Sequence, residues 1–100
     1  MNKSITVTPA QLETAAGKIE SLATEYEAQF KLLYQKTGDL AQTWKGEANV
    51  SYYNQIMGFE DDFQKMKSHM DSYAAFLRTS AKTYRETEER IAAEAKKLQN

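Results

Sequence analysis

Few residues in this 100-residue chain have a type and spacing suited to covalent chemistry. His69 is the single histidine and cysteine is absent, so the chain holds neither a second imidazole nor a thiolate to complete a three-ligand metal site. His69 reads as a solvated surface residue. Glu60-Asp61-Asp62 gathers three carboxylates, but acid–base work needs carboxyls held in separate environments, and consecutive helical positions point in different directions. That run reads as a solvated face. Met66 and Met70 fall inside an apolar repeat and read as core, where methionine fills irregular gaps. No Ser/His/Asp arrangement, glycine-rich phosphate loop or basic patch is present, and the expectation is a non-enzyme with no metal and no cofactor. The chain's distinctive chemistry is that of recognition. Its only tryptophan stands two residues from one of its four glycines, as Trp44-Lys45-Gly46.

Two long helical patterns flank that tripeptide. The first starts at Thr8-Pro9-Ala10-Gln11, where the Thr8 hydroxyl can accept from the Gln11 amide and Gln11 can answer to the Thr8 amide. Pro9 takes the first helical position, where its missing N–H costs nothing, and Val7 with Leu12 forms a hydrophobic staple. Leu12, Ile19, Tyr26, Leu33 and Leu40 then recur every seven residues, with Ala16, Ala23 and Phe30 four positions behind the first three. The second pattern carries Tyr52, Ile56, Phe59, Phe63, Met66, Met70, Tyr73 and Leu77 at alternating spacings of four and three, which a strand's period of two would not produce. The spacing predicts one domain spanning residues 1–100, with a helix over about 9–41, a turn at 43–46 and an unbroken helix over about 47–98. Gly46 supplies the backbone freedom for the reversal, and Trp44 lies against the bend. The hairpin and dimer core is expected from Leu12, Ile19, Tyr26, Leu33, Leu40, Phe59, Phe63, Met66, Met70, Tyr73 and Leu77. Gly17 and Gly58 interrupt good helical pattern, either at a close helix contact or as tolerated exposure. The second helix outruns the first, and residues after about Lys82 are expected to overhang.

Two rods cannot enclose much surface, so a hairpin of this size calls for a partner. A net charge of −1 provides no attraction for nucleic acid or anionic lipid. No stretch of 18 apolar residues is present and Met1–Val7 has no apolar run behind it, so neither stable membrane insertion nor a cleavable signal peptide is expected.

The length near 100, the two amphipathic helices and the Trp44-x-Gly46 bend together resemble the WXG100 family, the early-secreted-antigen-like small substrates of bacterial type VII secretion. The resemblance covers the whole chain. It implies a second motif, a tyrosine followed four residues later by an acid, which Tyr84-Arg85-Glu86-Thr87-Glu88 matches with glutamate where aspartate is commoner. Glu86 and Glu89 lie close by as alternative acids. In that family the motif is the export signal read by the secretion ATPase, followed by an apolar residue, here Ile91. On a helix Tyr84, Glu88 and Ile91 share one face, and the signal segment spans about 84–95. The family's dimers also place the W-x-G turn of one hairpin near the signal of its partner, which brings Trp44 and Gly46 into the recognition surface.

The expectation is therefore an all-α antiparallel helix-turn-helix hairpin that dimerises into an elongated four-helix bundle. A homodimer is favoured, and a heterodimer with a related hairpin stays open. The implied function is a small type VII substrate assembled in the bacterial cytoplasm and exported folded, acting outside as an effector or as partner to co-secreted proteins. Alternatives are a cytosolic targeting chaperone for the helical leader of a larger toxin, and a membrane-disrupting factor, which the near-neutral charge disfavours.

Overall fold

Thr8 sets the first element. In the structure, a computed structural model that describes residues 6–43 and 46–99, the Thr8 hydroxyl accepts from the Gln11 amide at 3.1 Å and the Gln11 side chain accepts from the Thr8 amide at 3.0 Å. This capping box opens helix α1 (Pro9–Ala41), with proline in its first turn. At the far end Thr43 closes the helix, its amide and hydroxyl both donating to the Leu40 carbonyl, at 3.0 and 2.8 Å. Gly46 then takes φ 104°, a left-handed value that side-chain-bearing residues rarely adopt, and helix α2 (Glu47–Gly58) follows. Trp44 and Lys45 lie outside the described residues.

The second helical pattern is not one helix. After Gly58 the backbone tightens, with the Phe59 amide donating to the Ile56 carbonyl at 3.1 Å, and a new helix α3 (Glu60–Leu98) begins. Phe59 sits at φ −80°, ψ −8°, close to helical, so the apolar spacing passes through the break without losing phase. Two sequence features account for its position. Glycine is a weak helix former, and Glu60, Asp61 and Asp62 fill the first turn of α3, where negative charge suits the positive end of a helix dipole. The acidic run thus marks a helix start.

α1 and α3 run antiparallel along an 83 × 30 × 16 Å molecule whose radius of gyration is 23.0 Å, against about 13 Å for a compact chain of this length. Their seam is built on small residues: Ala16 and Ala81 are 0% exposed and Ala23 and Ala74 1%, which lets the backbones approach closely. Leu77 is buried among them, with Leu12, Ala15 and Ile19 packed on the rim. Toward the turn the contact becomes aromatic. Phe63 stacks on Phe30 with ring centroids 5.8 Å apart and planes 8° from parallel, and it meets Tyr26 and Tyr34 edge-on at 6.0 and 6.1 Å.

The innermost positions therefore differ from the expected core. Leu77 is buried and Leu12, Ile19, Tyr26, Phe63 and Met70 are half-buried, but Leu33, Leu40, Phe59, Met66 and Tyr73 are exposed on the single chain. The seam runs through Ala16, Ala23, Phe30 and Thr37 because the helices meet where side chains are small, while the larger leucines are turned aside. That turn is systematic. Each residue just before a buried one lies about 100° round its helix, and among these Leu22, Tyr73 and Phe76 are exposed. Because α1 and α3 are antiparallel, the same sense of rotation carries both sets to one side of the hairpin. There they form a second apolar face.

The overhang is also shorter than the helix lengths suggest. Ala81 is fully buried and Arg85 still bonds to α1, so the unsupported stretch begins near Glu88. From the turn to the Phe30–Phe63 stack, α1 uses residues 30–41 whereas the returning chain uses 47–63. The extra residues in α2 and at the break keep every later α3 residue nearer the turn, so more of α3 lies alongside α1.

Candidate recognition site

The residues nominated in the C-terminal segment come together on α3. An open groove of ≈ 750 Å³ runs along that helix, lined among others by Phe76, Ser80, Thr83, Tyr84, Thr87, Glu88 and Ile91. Tyr84 is 39% exposed and Ile91 58%, so both are presented to solvent instead of packing in the hairpin seam. Of the three nearby acids, Glu88 lines the groove and Glu86 and Glu89 do not. The Thr87 hydroxyl donates back to the Thr83 carbonyl at 2.9 Å, which satisfies one polar group of the lining internally.

Two ion pairs fix the rotation of α3 so that this groove faces outward. Arg78 donates to both Glu20 oxygens, from Nε at 3.0 Å and from Nη2 at 2.6 Å. One heptad on at each end, Arg85 makes the same two-pronged contact with Glu13, its Nη1 to Oε1 and its Nη2 to Oε2, the latter at 3.2 Å. Arg85 lies inside the Tyr84–Glu88 segment. Its guanidinium is held on α1, so its neighbour Tyr84 must point to the flank. The arginine hydrogen bonds hold the Glu13 and Glu20 carboxyls below the ordinary glutamate range, against a smaller opposing effect of desolvation. Sequence periodicity did not reveal these clamps, although the matched seven-residue spacings of Glu13 with Glu20 and Arg78 with Arg85 were there to be read. A third contact closer to the turn joins Lys67 to Asp71 at 2.7 Å and to Glu27 at 3.7 Å. Those carboxylates raise the Lys67 pKa, the Asp71 hydrogen bond contributing most.

Other nominated positions carry less. Among the described residues no cluster of three or more His, Cys, Asp or Glu is placed to hold a metal, and no helix is long and apolar enough to cross a membrane. A side chain at Gly17 would meet Arg78 Nη2 at an ordinary 3.9 Å, and one at Gly58 would meet nothing within 4 Å, so neither glycine marks a close approach within the hairpin. The Tyr34 hydroxyl is the buried side-chain polar atom without a partner among the described residues. Burial pushes its pKa up, with Glu60, Tyr26 and Asp62 adding to the effect.

The chain matches one family over residues 4–89, described as proteins of 100 residues with WXG, the pattern that Trp44-Lys45-Gly46 carries. The chain belongs to the WXG100 family. Solved structures agree on the fold. The chain is similar to EsxA of Geobacillus thermodenitrificans, with 23% identity and a TM-score of 0.79 over 92% of this chain and 99% of that one. It is similar also to a secreted protein EsxB of Bacillus anthracis, with 22% identity and a TM-score of 0.75 over 87% and 99% of the two chains. No curated protein matches the sequence. Within this WXG100 chain the motif's glycine, Gly46, has φ 104°, while the tryptophan of the motif is outside the described residues.

Proposed function

We propose that this WXG100 protein is a small, non-enzymatic substrate of a type VII secretion machine, exported folded as a homodimer. The observation that carries the reading is the placement of Tyr84, Glu88 and Ile91 together in one open groove, where an aromatic ring, a carboxylate and an aliphatic group form a composite docking patch. A secretion ATPase is the partner such a label suits, with the Trp44–Gly46 turn as the second element of the surface. Outside the cell the protein acts as an effector or as partner to a co-secreted protein.

Surface area supports the dimer. The hairpin exposes 8224 Å², whereas a compact monomer of its mass exposes about 5,800 Å². The excess matches what a stable homodimer interface covers on its subunits, where totals of roughly 2,000–5,000 Å² are usual. The apolar face with Leu22, Leu33, Met66 and Tyr73 is where that cover belongs.

Tyr84→Ala and Glu88→Ala test the label. Both leave circular dichroism and sedimentation unchanged, since neither residue lies in the seam, and both abolish appearance of the protein in the culture medium. Normal export of both variants would sink the reading. Wild-type protein that stays in the cell and co-purifies with a larger helical client would replace it with the targeting-chaperone role.

A further inference from the structure

We infer that Glu13, near the start of α1, is a positioning residue for the label on the other helix: by holding Arg85 it keeps the Glu88 carboxylate unpaired for the group that reads it. This rests on the reading of Tyr84 and Glu88 as an export label and adds a distant residue that governs the label.

Arg85 sits between the two label residues, one position after Tyr84 and three before Glu88. At about 100° per residue, three positions bring Arg85 and Glu88 to within roughly 60° of one another around the helix, where side chains of opposite charge pair. The other positions at three or four residues from Glu88 are Tyr84, Ile91 and Ala92. Arg85 is therefore the one cation that the helix itself can set against the label's acid. A guanidinium placed there has two effects. It hydrogen-bonds the carboxylate, and its charge repels a cationic group arriving to read Glu88.

The guanidinium is turned elsewhere. Its Nη1 donates to Glu13 Oε1 and its Nη2 to Glu13 Oε2, the second at 3.2 Å. Among the described residues Glu88 has no ion pair. The carboxylate across the seam wins because it takes two charge-assisted hydrogen bonds from one planar fork. Within a single helix, a cation placed N-terminal to its acid is the weaker order of pairing.

The place of the clamp makes its effect local. Ala81 is the last α3 residue without exposed surface, and beyond it α3 is exposed apart from half-buried Thr87. Full burial thus ends one turn before Arg85. The Arg85 and Glu13 side chains remain 46 and 41% exposed, and pairs so open to solvent add little to global stability. What this pair decides is where one positive charge points. The Arg78–Glu20 clamp one heptad earlier provides the contrast, because Ala81 and Lys82 stand three and four positions after Arg78 and offer it no acid to capture.

The test is quantitative export of the full chain. Glu13→Gln keeps the side chain's size, removes its charge, and is expected to lower the exported fraction by on the order of fivefold, the scale of an exposed ion pair. Glu20→Gln, which opens the Arg78 clamp and leaves Arg85 on Glu13, is expected to match wild type. Glu13→Gln/Arg85→Gln is expected to recover most of the export lost in Glu13→Gln, since no cation remains to cover Glu88. Circular dichroism and sedimentation stay unchanged in all three. By NMR the Arg85 δ-methylene contacts the Glu13 γ-methylene in wild type and the Glu88 γ-methylene in Glu13→Gln. Wild-type export of Glu13→Gln overturns the inference. So does an equal loss in Glu20→Gln, or a double variant no better than Glu13→Gln, because either outcome makes the clamp merely structural. In each of these cases the label stands if Tyr84→Ala and Glu88→Ala stay in the cell. Normal export of those two variants overturns both readings.

Discussion

Replacing Phe63 by alanine removes the hub of the turn-proximal half of the hairpin. The Phe63 ring touches Tyr26, Phe30, Tyr34 and Phe59 at centroid distances of 6.0, 5.8, 6.1 and 6.4 Å, so four aromatic contacts disappear together. Truncating a buried phenylalanine costs about 3–5 kcal/mol, and each aromatic pair adds about 0.5–1.5 kcal/mol beyond its area. Phe63 is half-buried, which places the expected loss near the low end, about 3 kcal/mol. Small domains hold about 5–15 kcal/mol in total, so this is a large fraction of it. Phe76 is the control. It is 63% exposed and its ring meets that of Tyr73 at 6.4 Å, so Phe76→Ala costs the hairpin under about 1 kcal/mol. The assay is urea unfolding followed by circular dichroism at several protein concentrations, which separates the hairpin's own stability from the concentration-dependent part contributed by a partner. Phe63→Leu, which keeps apolar volume but loses the ring, falls between wild type and alanine. A loss under 1 kcal/mol for Phe63→Ala, or one equal to that of Phe76→Ala, would refute the claim that the aromatic cluster holds the turn half together.

Ala81→Leu places three more carbons at a position with no exposed surface. The expected cost is about 1–3 kcal/mol, and the parting helices also loosen the Arg78 and Arg85 clamps; a melting temperature equal to wild type would contradict a close-packed alanine seam. The clamps predict an acid response with a defined sign. Glu13 and Glu20 have depressed pKa values in the folded chain, so their contribution is present above the ordinary glutamate range and is lost as pH falls through the lower folded values. Amide exchange near residues 9–20 and 78–89 accelerates in that window, whereas the aromatic half keeps its protection. The Glu13→Gln/Glu20→Gln double variant shows the faster exchange already at neutral pH, and equal exchange in wild type and variant would remove the clamps from the argument.

Local features were legible because local chemistry decides them. The Thr8–Gln11 capping box needs two residues three apart, and the reversal at Gly46 needs one residue without a side chain. The break at Phe59 was hidden because it keeps the apolar phase, since Ile56, Phe59 and Phe63 preserve helical spacing through a single tightened turn. Gly58 with three acids beginning two residues later, Glu60-Asp61-Asp62, is the readable sign of it. The length of the overhang was misjudged for the same reason, as it depends on how many residues the return path uses before α3 meets α1.

The sequence by itself determined two amphipathic helical patterns, their bend, the absence of cysteine and the residues that carry the Trp-x-Gly and Tyr-x-x-x-Glu patterns. These are properties of composition and spacing, which hold whatever the helices touch. The tertiary structure decided which apolar face is used. Hydrophobicity ranks Leu33, Leu40 and Tyr73 as core, but close approach of two helices favours the alanines at 16, 23, 74 and 81, so the larger side chains are left on the flank. It also decided that Arg85 reaches Glu13 and thereby turns Tyr84 and Glu88 into an open groove. That outcome depends on the antiparallel register between residues 72 apart, which local spacing does not encode.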